Sequence, residues 1–493
     1  MSDDPIAEPV PQYTAMACQW ELIDDLRGGT KRMRERAERW LPRKPDETEE
    51  RYQHRLKSSF CRPAYKRTVN ALGSKPFTKP VSVANAPPRL EVIAKNADRH
   101  GATLTMFAHR AQEDLVHRGI THILVDYPPA GSATNPLNEI ALDVRPYFTH
   151  VTAKALIGWR SMRDRTNREI VTQIRIHEDV WRDSGDYGQE RVSKIRVINS
   201  GTPATDETQA VPGTFEIWEK GPKDAKHAMV SSGTTTFTPG QIPIVTVRLK
   251  EGALNVADPP LDELAWLNLR HWQSQSDQDN ILGFARVPII YETGVSDEDA
   301  EKKLKIGAGV TRRVGNTDAD MKYVEHSGAA IKAGSEQLAD IEEDMNALGL
   351  EPELNAPGAE TATGEMIDAS NANSELQAWV NALEIGLERA YELAAGLIGE
   401  KLPSNFSVDI LSDFTLPYRN QSELAALQAS RINGDISQRT ILSEYKRRKV
   451  LPQNFEVDEE IGATQDAGPP LGRILPIASG PPPLVPPGNS RGG

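Results

Sequence analysis

The sequence predicts an α+β protein, an antiparallel sheet domain followed by a mainly helical half, and three observations carry that expectation. Between Ile140 and Leu249 short strand-like runs (Gln173 to Ile176, Ser193 to Ile198, Gly213 to Trp218, Ile242 to Val247) alternate with Gly/Pro/Asp/Ser turns. At Asp258-Pro259-Pro260 the pattern changes to helical spacing. From Thr361 to Ile398 apolar residues (Ala362, Met366, Ala369, Ala372, Leu376, Val380, Leu383, Leu387, Ala390, Ala394, Leu397) recur in steps of three and four. That is a single helix of about ten turns, ~57 Å long.

Bulk properties narrow the function classes. A chain of 493 residues has room for several domains and a sizeable core. No apolar run reaches the ~18–20 residues of a membrane span. The acidic, Pro-containing stretch Met1 to Pro11 has neither the basic nor the apolar region of a signal peptide. Cys18 and Cys61 stand outside any CxxC or His/Cys cluster and read as reduced thiols suited to the cytosol. The net charge of -13 argues against a general grip on nucleic acid, which needs a basic face. An acidic chain meets DNA through a local patch or lets it pass.

The elements follow in order. Arg27 to Arg43 is rich in Arg, with Met33, Ala37, Trp40 and Leu41 at helical spacing. Its basic residues form either a solvated helix face or a contact to DNA or an acidic partner such as capsid, with Arg32, Arg36 and Arg39 the candidates. Helices are expected over Thr48 to Leu72 and Leu90 to His117, then a buried strand from Ile120 to Asp126. A helix from Asp258 to about Phe284 carries Leu261, Ala265, Leu269 and Trp272 on one face. Its stretch Gln273 to Asn280 is polar all round, which predicts packing against solvent or against copies of itself.

A small module follows: a strand over Val287 to Tyr291, a short helix opened by Ser296, and a hairpin from Gly309 to Glu325 across Gly315-Asn316. A helix from Ala329 to Leu348, net charge -4, then returns. The chain thus goes out along one helix, builds a tip and comes back along another. The loop Glu351 to Glu360 feeds the long helix. Counting its flanks, that helix carries Glu360, Glu365, Asp368, Glu375, Glu384, Glu388, Glu392 and Glu400 against the single base Arg389. Gly364, Gly386 and Gly396 each weaken it by about 1 kcal/mol relative to Ala, so a bend is expected at one of them. Phe406 to Leu411 reads as a strand returning to the first-half sheet. Ser422 to Ile432 and Ser437 to Arg448 form a helical hairpin, and the Gly/Pro-rich chain from Gly462 reads as disordered.

No catalytic constellation is visible: no GxSxG elbow, no HExxH, no phosphate loop and no dinucleotide fingerprint. Gly307 to Gly315 lacks the Lys-Ser/Thr of a nucleotide loop. His122 and Asp126 share one face of a strand, which fits either an acid/base pair or a satisfied buried histidine. Asp277/Asp279 and Asp318/Asp320 lack the remainder of a calcium loop. No cofactor and no metal is expected, and the chain is not expected to be an enzyme.

The order of these elements, and several strings along them, resemble the portal protein of tailed bacteriophages. The strings are Trp40-Leu-Pro42 with Glu49 to Leu56, Leu115 to Gly119 leading to Asp126, Arg145-Pro-Tyr147 to Trp159-Arg160, and Ile242 to Val245 leading to Pro260-Leu-Asp-Glu-Leu264. To these add Glu360-Thr-Ala-Thr-Gly364 and Asn433 to Ser437 with Lys446 to Lys449, so that the resemblance covers Gln19 to Gln465. It is closest to a portal-like family carried as a domain of unknown function.

The resemblance implies a portal fold: a wing over 1–255, a first stem helix over 256–285, a clip over 286–327 and a second stem helix over 328–349. A tunnel loop over 350–360, a tunnel helix over 361–400, a wing strand over 401–418, a helical crown over 419–461 and a tail over 462–493 complete it. It further implies a ring, a dodecamer in this family, at one capsid vertex of a virion assembled in the host bacterial cytoplasm. Double-stranded DNA passes through during packaging and ejection, and large terminase, a head–tail adaptor and major capsid or scaffolding protein are the partners, with no membrane. Under that reading Glu351, Glu353, Asn355, Glu360, Thr361, Glu365, Asp368 and Lys332 line the channel. Arg312, Arg313, Asn316 and Asp318 dock the motor or adaptor. Another virion component, a minor head or adaptor protein, and a soluble hydrolase using the His122/Asp126 face are the alternatives.

Overall fold

The computed structural model describes residues 4–128, 144–163, 167, 169–204, 209–285, 289–293, 320–324, 328–349, 362–412, 414, 417–447, 451 and 455–466. They fall into two units, 1–414 and 415–493.

The first unit opens with an arm, residues 4–10, that begins in a turn (Ala7 N–H to the Asp4 carbonyl), followed by helices α1 (Pro11–Glu35), α2 (Ala37–Trp40), α3 (Glu49–Ser58) and α4 (Ala64–Ser74). The single helix expected over Thr48 to Leu72 is therefore two. Pro63, which has no N–H to donate and disfavours helix before it, marks the break. Strand β1 (Ser82–Ala84) leads to α5 (Pro88–Lys95) and α6 (Leu104–Arg118), again two helices where one was expected. The turn between them is locked by side chains: Asp98 accepts from the backbone N–H of His100 and Ala102, and Asn96 from that of Gly101.

Strands β2 (Ile120–Asp126), β3 (Tyr147–Thr152), β4 (Leu156–Arg163), β5 (Glu169–Ser184), β6 (Gly188–Asn199), β7 (Thr214–Lys220), β8 (Ala228–Thr234) and β9 (Ile244–Arg248) follow. They make two antiparallel sheets instead of one, ordered β3-β2-β9 and β4-β5-β6-β7-β8. Sheet β3-β2-β9 has β2 at its centre, buried on both faces, with Ile120 and Ile123 to Val125 apolar and the buried Thr121 and His122 hydrogen-bonded to His150 and Thr246.

Helix α7 (Asp262–Ala285) goes out, the antiparallel pair β10 (Ile289–Thr293) and β11 (Asp320–Val324) follows, and α8 (Ala329–Leu348) returns. The described part of the expected hairpin, Asp320–Val324, pairs with β10, Ile289 opposite Val324. Residues 294–319 lie outside the described set, and with them Gly315-Asn316. Helices α7 and α8 are antiparallel, since Gln278 reaches Ile331 and His271 reaches Glu342. Gly334 sits where a Cβ would collide with the Gln278 side-chain amide, so glycine permits the close approach.

Helix α9 (Ala362–Leu397) has the predicted length. Its second half is buried along Leu376, Val380, Leu383, Leu387, Ala390, Tyr391 and Ala394. This stripe packs on β2 and β9, and at Gly386 a Cβ would meet the Val247 side chain. The glycine read as a bend site is thus a contact site. Strand β12 (Ser407–Asp409) pairs with β1 as a separate two-stranded sheet and does not rejoin the larger ones, a correction to the expected return.

One main core joins these parts, with Trp20, Tyr65, Phe107, Phe148, Trp272 and Tyr391 among its largest buried side chains. An aromatic chain crosses it: Phe107 to Phe148 at 5.8 Å between ring centroids, Phe148 to Tyr391 at 5.3 Å, Tyr391 to Phe406 at 5.2 Å. A small separate cluster, Ile157, Ile195 and Val197, is closed by Ile6 and Ala7 of the arm.

The second unit holds α10 (Pro417–Asn433), α11 (Gln438–Arg447) and α12 (Val457–Asp466). Ser437, where the second helix of the hairpin was expected to begin, caps α11 by accepting from the Thr440 N–H. Helix α12 extends past Gly462, where disorder was expected. Its acidic first turn (Asp458, Glu459, Glu460) suits a helix N-terminus.

Gly334→Ala is expected to cost about 1–3 kcal/mol in urea unfolding, because the new methyl competes with the buried Gln278 amide. Adding Gln278→Ala to that variant should recover part of the loss, and strictly additive effects would contradict the contact.

Candidate functional site

The sequence candidates concentrate on α7, α8 and the start of α9. On α8 a buried stripe, Leu338, Ile341 and Met345, faces inward, and Glu336, Asp340, Glu343 and Asp344 are exposed. Its helical period thus segregates an acidic face from the packed one. Lys332 is exposed on this helix and pairs with Glu336 at 3.6 Å. Residues 350–361, with Glu351, Glu353, Asn355, Glu360 and Thr361, lie outside the described set. So do Arg312, Arg313, Asn316 and Asp318, while the side chains of Glu365 and Asp368 are not described.

The later carboxylates of α9 divide into two groups. Glu375 and Glu392 are exposed. Glu384 accepts from the Ile410 N–H at 2.6 Å and Glu388 from the Val408 N–H at 3.1 Å, so both fasten the β12 segment to the helix. Glu400 pairs with Arg89 at 3.9 Å. Three of the carboxylates counted on this helix and its flank thus have intrachain partners, and of these Glu400 has a cation opposite it.

The polar stretch of α7 needs the larger correction. It was expected to find partners only in solvent or in other copies, yet Ser276 and Gln278 are buried. The Arg55 guanidinium grips Glu47 with two bonds of 2.7 Å and donates to Ser276 Oγ at 3.3 Å. Gln273 donates to the Trp40 carbonyl at 2.8 Å, Gln278 to the Ile331 carbonyl at 2.8 Å, and Lys44 pairs with Asp277 at 2.7 Å. Nothing local signals these partners, because Arg55 and Ser276 are 221 residues apart.

The basic run is likewise committed within the chain. Arg32 and Arg36 both bind Asp25, at 2.9 and 3.4 Å, and Arg39 pairs with Glu21 while its guanidinium lies over the Trp40 ring. Asp25 is itself buried and also accepts from the Trp40 indole at 2.8 Å. These arginines therefore fold the α1–α2 corner, and their charge is largely compensated there.

His122 and Asp126 do not meet. The Thr246 hydroxyl donates to Asn255 at 2.8 Å, so it accepts from His122 Nδ1 at 3.1 Å. Burial lowers the His122 pKa to about 4, keeping the ring neutral. Asp126 instead accepts from the Tyr147 hydroxyl at 3.0 Å and pairs with Arg196 at 3.5 Å.

Two polar networks were not visible in the sequence. The first centres on Asp24, which binds His117 Nε2 at 2.9 Å, Arg118, and Lys154 Nζ at 2.8 Å. The Tyr65 hydroxyl donates to His117 Nδ1 at 2.9 Å, which fixes the imidazole as the Nε2–H tautomer. Burial raises the Asp24 pKa, but the bonds from His117, Arg118 and Lys154 outweigh it and hold the carboxyl well below its usual range. Burial also depresses His117 to about 4, against the opposing pull of Asp24.

The second network runs from Asp4 to His227 Nδ1 (2.7 Å), from His227 Nε2 to Ser193 Oγ (3.1 Å), and from Ser193 Oγ to His177 Nε2 (2.9 Å). The order Asp-His-Ser mimics a hydrolase triad. Ser193, however, lies mid-sheet between β5 and β7, where its neighbours' backbone N–H groups serve the ladder and none is free to stabilise an oxyanion. The cluster instead buckles the arm to the sheet, aided by Arg175, which donates to the Pro5 and Ile6 carbonyls.

Among the described residues, no group of three or more His, Cys, Asp or Glu is arranged to hold a metal, and no helix is long and apolar enough to cross a membrane. Asp277 and Asp279 of the first DxD spacing are engaged by Lys44 and Gln275.

The family described as Domain of unknown function (DUF4055) matches residues 260–397, which is α7 through α9. No curated protein matches the chain. Among solved structures, it is similar to a chain in the neck of an empty gene transfer agent (GTA) particle computed with C6 symmetry. That pair shares 12% identity over 80% of this chain and 91% of the other, with a TM-score of 0.44. A chain of the virion of a native gene transfer agent particle gives 13% identity, 84% and 95% coverage and a TM-score of 0.43. A chain in the neck of the native particle computed with C12 symmetry gives 12%, 77% and 88%, and 0.40.

His117 and His122 both titrate at about 4 in the folded chain against about 6.5 when exposed, so the unfolded chain takes up protons first as pH falls. Their stabilisation is complete above pH ~6.5 and is lost toward pH ~4, after which protonation of Asp24 extends the loss. Urea unfolding at a series of pH values between 7.5 and 4.5 should therefore show steadily falling stability. A flat profile across that range would contradict the buried neutral histidines.

Proposed function

We propose that this chain is the portal subunit of a tailed phage or phage-like particle. Copies form a ring at one capsid vertex, a channel for packaging and ejecting double-stranded DNA and a platform for large terminase and head–tail joining proteins. The observation that carries this reading is the out-and-back pair α7/α8 around the β10–β11 pair, followed by the 36-residue α9 laid across the sheet domain. That is the order the sequence resemblance implies for stem, clip, stem and tunnel helix.

In such a ring the exposed acidic face of α8 and the carboxylates of 350–361 border the lumen. Phosphates are repelled at short range, and screening over a Debye length of ~8 Å limits that repulsion to close approach. DNA then slides without being held, Lys332 and the clip arginines Arg312 and Arg313 giving only weak contacts. A ring of twelve, with capsid or scaffolding protein outside it, follows from the same resemblance.

Negative-stain images of the purified protein should show closed rings with an axial hole, and monodisperse monomers would overturn the proposal. Reversing Glu353 and Glu360 to Lys should slow DNA packaging in vitro while ring assembly stays intact. Packaging at the unaltered rate would place those carboxylates away from the lumen.

A further inference from the structure

We propose that Arg160 and Arg175, neighbours on one face of the five-stranded sheet, form a binding site for an oxyanion, the group that a carboxylate or a phosphate presents. The proposal does not depend on the ring reading above.

Strand register brings the two guanidiniums together. Arg175 of β5 stands opposite Gly158 of β4, and Gln173 stands opposite Arg160. Cross-strand partners share a face, as do residues two apart on one strand, so Arg160 and Arg175 are diagonal neighbours on the same side of the sheet. Arg163, beyond the irregularity between Arg160 and Ser161, faces the other side.

Glycine at position 158 gives the Arg175 guanidinium its place. A Cβ there would lie 2.5 Å from Nη2 and 2.6 Å from Nε, so the group lies across the β4 backbone where any other residue would put a side chain. From that position Nη1 reaches the arm, donating to the Ile6 carbonyl at 2.9 Å and the Pro5 carbonyl at 3.2 Å. Those bonds use one nitrogen. Nε and Nη2 have no acceptor among the described residues, and together they are an edge that holds an oxyanion by two parallel bonds. Arg160 is exposed, and its guanidinium has neither a hydrogen bond nor an ion pair among the described residues.

The charge balance points the same way. A cation taken partly out of water ordinarily has a carboxylate beside it. Arg55 has Glu47, whose bonds raise its pKa. Burial lowers that of Arg118, but Asp114 and Asp24 outweigh it and the net shift is upward. Arg175 departs from this pattern. Burial lowers its pKa, the neighbouring Arg160 lowers it further, and the opposing pull of Glu8 does not offset them. Glu8 is exposed and forms no ion pair among the described residues. An oxyanion between the two guanidiniums would supply the absent negative charge and leave both arm bonds in place.

The test is titration calorimetry on the full chain at low ionic strength, with inorganic phosphate and, separately, with succinate. Tighter binding of succinate assigns the site to a carboxylate and tighter binding of phosphate assigns it to a phosphate, both in support. Arg160→Gln and Arg175→Gln should each weaken the preferred anion about tenfold or more. Arg163→Gln, which removes the same charge from the opposite face, should leave it unchanged. Because Arg175 also holds the arm, Arg160→Gln is the deciding variant, since its guanidinium has no other partner to lose. Unaltered binding by folded Arg160→Gln protein overturns the site, as do equal losses in all three variants or the absence of saturable binding to either anion. Ring assembly enters none of these readouts, so a negative result here leaves the ring reading standing.

Discussion

The first unit depends on one partly buried carboxylate, Asp24. A buried charge is tolerated only when it is paired and its lone pairs are used, and Asp24 meets both conditions with His117, Arg118 and Lys154. Those partners come from α6 and from the turn between β3 and β4. The interaction therefore fixes α1 against the central helix and sets where the five-stranded sheet begins. Arg118 is in turn held by Asp114 at 2.6 Å, whose other oxygen accepts from the Ala153 N–H at 2.9 Å. Removing Asp24 would leave Arg118 buried with half its compensation, so its loss would cost more than one hydrogen bond.

From that anchored frame, α9 acquires its position by packing alone. Its buried stripe lies on β2 and β9, and its carboxylates Glu384 and Glu388 reach past the stripe to satisfy the backbone of β12. One helix face thus does two jobs, closing the sheet and capping a strand that has only three paired residues on its other side. Charge counted along a helix does not reveal this. A carboxylate bonded to a backbone N–H is structural yet keeps its charge, whereas Glu400 is offset by Arg89.

Legibility in the sequence followed the range of the forces involved. Helical period located α7, α8 and α9, and the Gly/Pro-bounded apolar run located β2, because both signals are local. The breaks at Ser59–Pro63 and Asn96–Thr103 were missed because the apolar spacing runs through them, while Pro63 and the Asp98 turn interrupt the backbone. The partition into two sheets, the β1–β12 pairing and the Arg55–Ser276 contact were not legible at all, since each joins residues far apart in the chain. Of the candidate site, the acidic face of α8 was visible from composition. The compensation of Arg32, Arg36 and Arg39 was not, because Asp25 and Glu21 lie earlier in the chain, across the break in helical geometry at Gly29, and reach them only after the corner forms.

These corrections change what remains available for contact between copies. The polar segment of α7 is satisfied by Arg55, Lys44, the Trp40 carbonyl and α8. The basic α1–α2 corner is satisfied too. Among the described residues, what stays open is backbone at the edges of the five-stranded sheet, along β8 and part of β4. The arm lies at part of the β4 edge, where the Val10 N–H donates to the Ile157 carbonyl at 3.0 Å, so that point of the edge is satisfied within the chain.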